Sequence, residues 1–136
     1  MPVPPKADLP VVAVFNASED TVDLLMEFFG QQGFCAVGRT WPAREPLTPH
    51  AAREFISQHR PHVVVFDVSL PYEENWERFR EFQSLAGERH IPVVLTTTNR
   101  DALNQFIGPA EALEIIGKPY DLDQVLVAVR RVLPSI

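Results

Sequence analysis

Three side chains of different chemistry follow or close short apolar runs in this chain: Asp67 after VVVF, Thr97 within LTTT, and Lys118 within IIGKPYD. A carboxylate can attack an activated phosphorus to give an acyl phosphate, an ammonium group neutralises the added oxygens, and a hydroxyl donates a hydrogen bond to one of them. A hard divalent cation would bridge donor and acceptor oxygens in such a reaction. The three residues are far apart in sequence, so only the ends of separate secondary-structure elements can bring them together.

Those elements are legible in the alternation of short apolar runs with segments of helical period. Val11 to Phe15 reads as a first strand. Ser18 caps a helix that carries Glu19 and Asp20 in its first turn, where acidic groups suit the positive end, and that runs to Phe29. Gly30 to Gly33 closes the helix, Phe34 to Val37 is a second strand ending before Gly38, and prolines 42, 46 and 49 make Arg39 to Pro49 a loop. Ala51 to His59 is a second helix. His62 to Phe66 is a third strand, apolar on both faces as a central parallel strand must be, with Asp67 at its carboxyl end. Glu77 to Leu85 is a third helix, Pro92 to Thr96 a fourth strand, and Asp101 to Ile107 a fourth helix cut by Gly108 and Pro109. Glu114 to Ile116 is a fifth strand. The last helix starts at Asp121, with Leu122, Val125, Leu126, Val129 and Leu133 on one face.

Five strands alternating with five helices imply right-handed crossovers and a doubly wound, five-stranded parallel α/β sheet covered on both faces, in the flavodoxin-like (βα)5 manner. Residues 1–10, with four prolines, form a lead, and 11–136 a single domain. Ligands of such folds bind beyond the carboxyl ends of the strands, which here present Asn16 and Ala17, Asp67, Thr97 and Thr98, and Lys118. Thr96 reads as a β-branched strand residue.

VVVFDVSLP, LTTT and IIGKPYD resemble the third-, fourth- and fifth-strand motifs of response-regulator receiver domains, and the likeness extends over nearly the whole chain after residue 10. The resemblance implies that Asp67 is the phospho-acceptor, Thr97 the switch hydroxyl and Lys118 the phosphate contact, with Pro71 matching the family's proline after the acceptor. Two departures stand out. The family's acidic pair, which holds Mg²⁺ at the end of the first strand, is replaced by Asn16 and Ala17. The metal would then rest on Asp67, the backbone carbonyl of Ser69 and, weakly, the neutral side-chain oxygen of Asn16, so Mg²⁺ binding is expected to be weak. Ile115 occupies the place of the family's switching tyrosine or phenylalanine, and it cannot reproduce the swing of an aromatic ring.

The implied role is a stand-alone receiver in a phosphorelay. A histidine kinase or phosphotransfer protein would supply the phosphoryl group and, the sequence ending at Ile136, a downstream protein partner would receive the signal. The final helix, with Arg130 and Arg131, is read either as a partner or homodimer surface or as a solvated basic end. The alternative is a phosphorylation-independent pseudo-receiver. A flavin- or cobalamin-binding module is disfavoured, because FNASED lacks a phosphate cradle and no histidine stands in a cobalamin-type loop. The chain is expected to be a signalling domain rather than a dedicated enzyme.

Composition narrows the partners further. Eighteen acidic residues against 12 basic ones give a net charge of −6, without a basic run to attract nucleic acid. A single cysteine, Cys35, allows no internal disulfide, which suits a cytoplasmic location, and no apolar segment has the length of a membrane span. His59 and His62 form an HxxH pattern interrupted by Arg60-Pro61, which ends the helix that a shared metal face would need. Tyr72 and Trp76 flank the acceptor loop as packing residues or partner anchors.

Overall fold

The computed structural model describes residues 9–40, 48–68, 76–77, 79–84, 89–97, 114–117 and 122–133. Its strands are β1 (Val11–Asn16), β2 (Cys35–Thr40), β3 (Val63–Val68), β4 (Val93–Thr97) and β5 (Glu114–Gly117). They form one parallel sheet in the order β2-β1-β3-β4-β5. The helices are α1 (Glu19–Gln31), α2 (Pro49–His59) and α3 (Leu122–Val132), together with helical residues at 76–77 and 79–84. The doubly wound parallel architecture is therefore present. The predicted fourth helix, at Asp101 to Ile107, lies outside the described residues, as do Ser69, Pro71, Tyr72, Thr98 and Lys118.

Alternation along the strands sorts the core into two layers. Ala13 and Phe15 of β1, Val64, Phe66 and Val68 of β3, and Val93 and Leu95 of β4 pack with Ala52, Phe55 and Ile56 of α2 and with Trp76, Phe79 and Phe82. Phe15 is central to that layer, its ring centroid 4.9 Å from Phe55, 4.9 Å from Phe82 and 5.8 Å from Phe66. On the opposite face Val12, Val14, Val63, Val65 and Val94 pack under Val22, Leu25 and Phe29 of α1 and Val125, Leu126, Ala128 and Val129 of α3. Burying both faces of β1, β3 and β4 explains their near-continuous apolar sequences.

Several boundaries differ from the sequence expectation, each for a local reason. Helix α1 continues through Gly30 to Gln31, and the left-handed turn comes at Gly33, with φ of 90°. β2 does not stop before Gly38 but passes through it to Thr40. A Cβ at Gly38 would lie 2.5 Å from Cγ1 of Val22 and 2.6 Å from Sδ of Met26, so this glycine admits the close approach of α1 rather than turning the chain. Pro49 opens α2 instead of closing a loop. Thr48 caps that helix by accepting from Ala51 N–H at 3.1 Å, and a proline in the first turn forfeits no hydrogen bond. β3 and β4 reach Val68 and Thr97, so Asp67 and Thr97 lie within the sheet ladder.

Candidate functional site

The strand order reverses between β1 and β3, and the crevice beyond the carboxyl ends of these two strands is where a fold of this type binds ligands. Asn16 ends β1 and Asp67 is the penultimate residue of β3. Phe15 is paired with Phe66, Asp67 with Thr96, and Val68 with Thr97. Asn16 keeps step with Val12 and Val14, Asp67 with Val63 and Val65, and Thr96 with Val94, so all three occupy the α1/α3 face. Thr97 keeps step with Val93 and Leu95 on the α2 face. Four polar residues at this end of the sheet are buried: Asn16 and Asp67 are 4% exposed, Thr96 1% and Thr97 0%.

Burial obliges these groups to find partners. The hydroxyl of Thr96 donates to Oδ1 of Asp67 at 2.6 Å, a short contact of the kind made to a charged acceptor. Twenty-nine residues separate the pair in sequence. At the end of β1 the side-chain oxygen of Asn16 accepts from Ser18 N–H at 2.9 Å, turning back on its own chain just before α1. Ser18 in turn accepts from Thr21 N–H at 3.3 Å and from the Thr21 hydroxyl at 3.1 Å, as the expected cap. Ala17 is exposed and carries no donor atom, and Glu19 and Asp20 lie on the exposed first turn of α1. Among the described residues no buried side-chain nitrogen or oxygen lacks a hydrogen-bond partner.

The sequence expectation that Asn16 and Asp67 share one end of the sheet thus agrees with the structure. Thr97 stands at the same end, in the strand neighbouring Asp67. Thr96 is a strand residue of β4 as the sequence suggests, but its hydrogen bond to Asp67 is not foreseen there. The register that pairs it with Asp67 is not encoded in either segment alone.

No family model matches the sequence, and no curated protein does. Solved structures do match it over most of its length. Chemotaxis protein CheY4 of Vibrio cholerae superposes with a TM-score of 0.71 at 17% identity, over 92% of this chain and 99% of that one. A response regulator receiver protein of Sinorhizobium medicae gives 0.65 at 16% identity, over 92% and 94% of the two chains. A structure described as a transiently phosphorylated switch in bacterial signal transduction gives 0.67 at 15% identity, over 90% and 92%. The fold is that of a response-regulator receiver domain.

A receiver fold raises the matter of Mg²⁺. A small, strongly hydrated cation needs near-octahedral oxygen donors and usually one or two carboxylates. Here the described residues supply one carboxylate, with an oxygen already accepting from Thr96, and one neutral amide oxygen already accepting from a backbone N–H. No group of three His, Cys, Asp or Glu that could hold a metal ion occurs among the described residues. They fit a tightly held Mg²⁺ poorly. Among them, too, no helix is long and apolar enough to cross a membrane.

Proposed function

We propose that this chain is a receiver module of two-component signalling in which Asp67 accepts a phosphoryl group from a histidine kinase or a phosphotransfer protein. The observation that carries this reading is Asp67, the one buried carboxylate among the described residues, in the central strand of a receiver fold, beside the point where the strand order reverses. A carboxylate oxygen attacks phosphorus, the phosphorus–nitrogen bond of a phosphohistidine donor breaks, and its electron pair returns to the imidazole. Lys118 neutralises charge on the transferred group, and the Thr97 hydroxyl, which closes the neighbouring strand on the opposite face of the sheet from Asp67, is the switch group that responds to it. Any metal contact falls to Asp67, the Ser69 backbone carbonyl and, weakly, Asn16. The signal passes to a downstream protein in the cytoplasm.

A specific observation favours a second reading, a pseudo-receiver that works without phosphorylation. The β1 end presents Asn16 and Ala17 rather than acidic groups, and the Asn16 oxygen is already occupied by Ser18 N–H. Intact mass of wild type and Asp67→Asn after incubation with Mg²⁺ and a small acyl phosphate or phosphoramidate separates the two. One phosphoryl addition to wild type, absent from Asp67→Asn, is the expected result. Absence of any addition to wild type, whether from small donors or from a phosphorylated phosphotransfer protein, gives the pseudo-receiver the better claim.

A further inference from the structure

We infer that Thr96 is a positioning residue for Asp67 whose hydroxyl speeds the loss of the phosphoryl group. The inference rests on the reading of Asp67 as phosphoryl acceptor and adds to it a residue that sets the lifetime of the phosphorylated state.

Three observations combine. Asp67 and Thr96 are directly paired in the β3–β4 register, which fixes both backbones. Their side chains share the α1/α3 face, and the hydroxyl donates to Oδ1 at 2.6 Å. Both residues are almost wholly buried, so water competes little for this hydrogen bond. A threonine rotamer held between two packed strands defines the plane of the carboxylate, and Oδ1 becomes the carbonyl oxygen of the acyl phosphate when the other oxygen carries phosphorus.

Hydrolysis then proceeds by attack of water on phosphorus. The bond from phosphorus to the Asp67 oxygen breaks, its electron pair returns to the carboxylate, and the water proton leaves with inorganic phosphate or passes to solvent. Charge absent from the neutral acyl carbonyl develops on Oδ1 during this step. The Thr96 hydroxyl therefore binds the transition state more strongly than the phosphorylated ground state, which is the condition for accelerating a reaction. With the β1 end supplying no acidic group, this neutral donor acts at the oxygen where charge appears.

The test uses the full chain as wild type, Thr96→Val, which keeps the shape, and Thr96→Ser, which keeps the hydroxyl. Each protein is phosphorylated with acetyl phosphate, freed of donor, and followed by intact mass. Thr96→Val is expected to lose its phosphoryl group about three- to tenfold more slowly than wild type, as removal of a partly developed charge-assisted hydrogen bond requires. Thr96→Ser decays at close to the wild-type rate. Equal decay of wild type and Thr96→Val overturns the inference while leaving Asp67 as acceptor, and so does a Thr96→Ser variant as slow as Thr96→Val. Failure of wild type to acquire a phosphoryl group from acetyl phosphate, from phosphoramidate and from a phosphorylated phosphotransfer protein alike overturns both.

Discussion

The two sides of the strand-end crevice solve the same problem in opposite ways. On the β1 side, buried Asn16 spends its oxygen on Ser18 N–H, two residues along the same chain, and so helps to set the start of α1. On the β3–β4 side, buried Asp67 is met by Thr96 from the neighbouring strand, across 29 residues of sequence. The first arrangement is local and serves folding. The second is made only when the sheet assembles, and it orients the carboxylate proposed as the nucleophile. Under the proposed acceptor role of Asp67, polar residues at equivalent depths of one fold divide between scaffold and chemistry, and their hydrogen-bond partners mark the division.

Restoring acidic groups to the β1 side breaks this contrast most severely. In Asn16→Asp/Ala17→Asp the aspartate at 16 can still accept from Ser18 N–H, so α1 keeps its start, while two carboxylates join Asp67 around the crevice. The phosphorylation rate with acetyl phosphate and Mg²⁺ is expected to rise by about tenfold or more. A saturable Mg²⁺-dependent fluorescence change should appear in a Trp41→Phe background, where Trp76, 5.2 Å from Phe79, is the remaining indole. An unchanged rate would mean that the missing charge on the β1 side does not limit the chemistry.

Smaller changes sharpen the contrast. Asn16→Ala removes a buried acceptor and its packing, and is expected to lower unfolding free energy in urea by about 1.5 kcal/mol. Because Asn16 offers a metal only a weak, neutral contact, the lifetime of any phosphorylated Asp67 should stay within about twofold of wild type. Ser18→Ala, at the exposed cap, should cost about 1 kcal/mol in the same measurement and leave phosphorylation unchanged. A large loss of phosphorylation in either variant would place the β1 side in the chemistry after all.

The legible parts of the site share a physical character. Asp67 could be read as a strand-end carboxylate because VVVF before it is long enough and apolar enough to be a central strand. Ser18, Glu19 and Asp20 announced the start of α1 because capping is a contest among neighbouring residues. Gly38 misled, since a glycine that ends a strand and one that admits a helix look alike in sequence. Only the proximity of Val22 and Met26 distinguishes them. Pro49 misled similarly, because a loop proline and a first-turn proline differ only in whether the residues after them coil into a helix.

The sequence by itself determined the alternation of strands and helices, the doubly wound class and the delivery of Asn16, Asp67 and Thr97 to one end of the sheet. Local period and apolar runs carry that information. Tertiary structure alone decided that Thr96 meets Asp67 and that the Asn16 oxygen turns toward Ser18. In a pleated strand a one-residue shift sends a side chain to the opposite face, so the meeting of Thr96 with Asp67 depends on the register of β4 against β3. That register is set by the packing of both faces of the sheet at once, which no single segment contains.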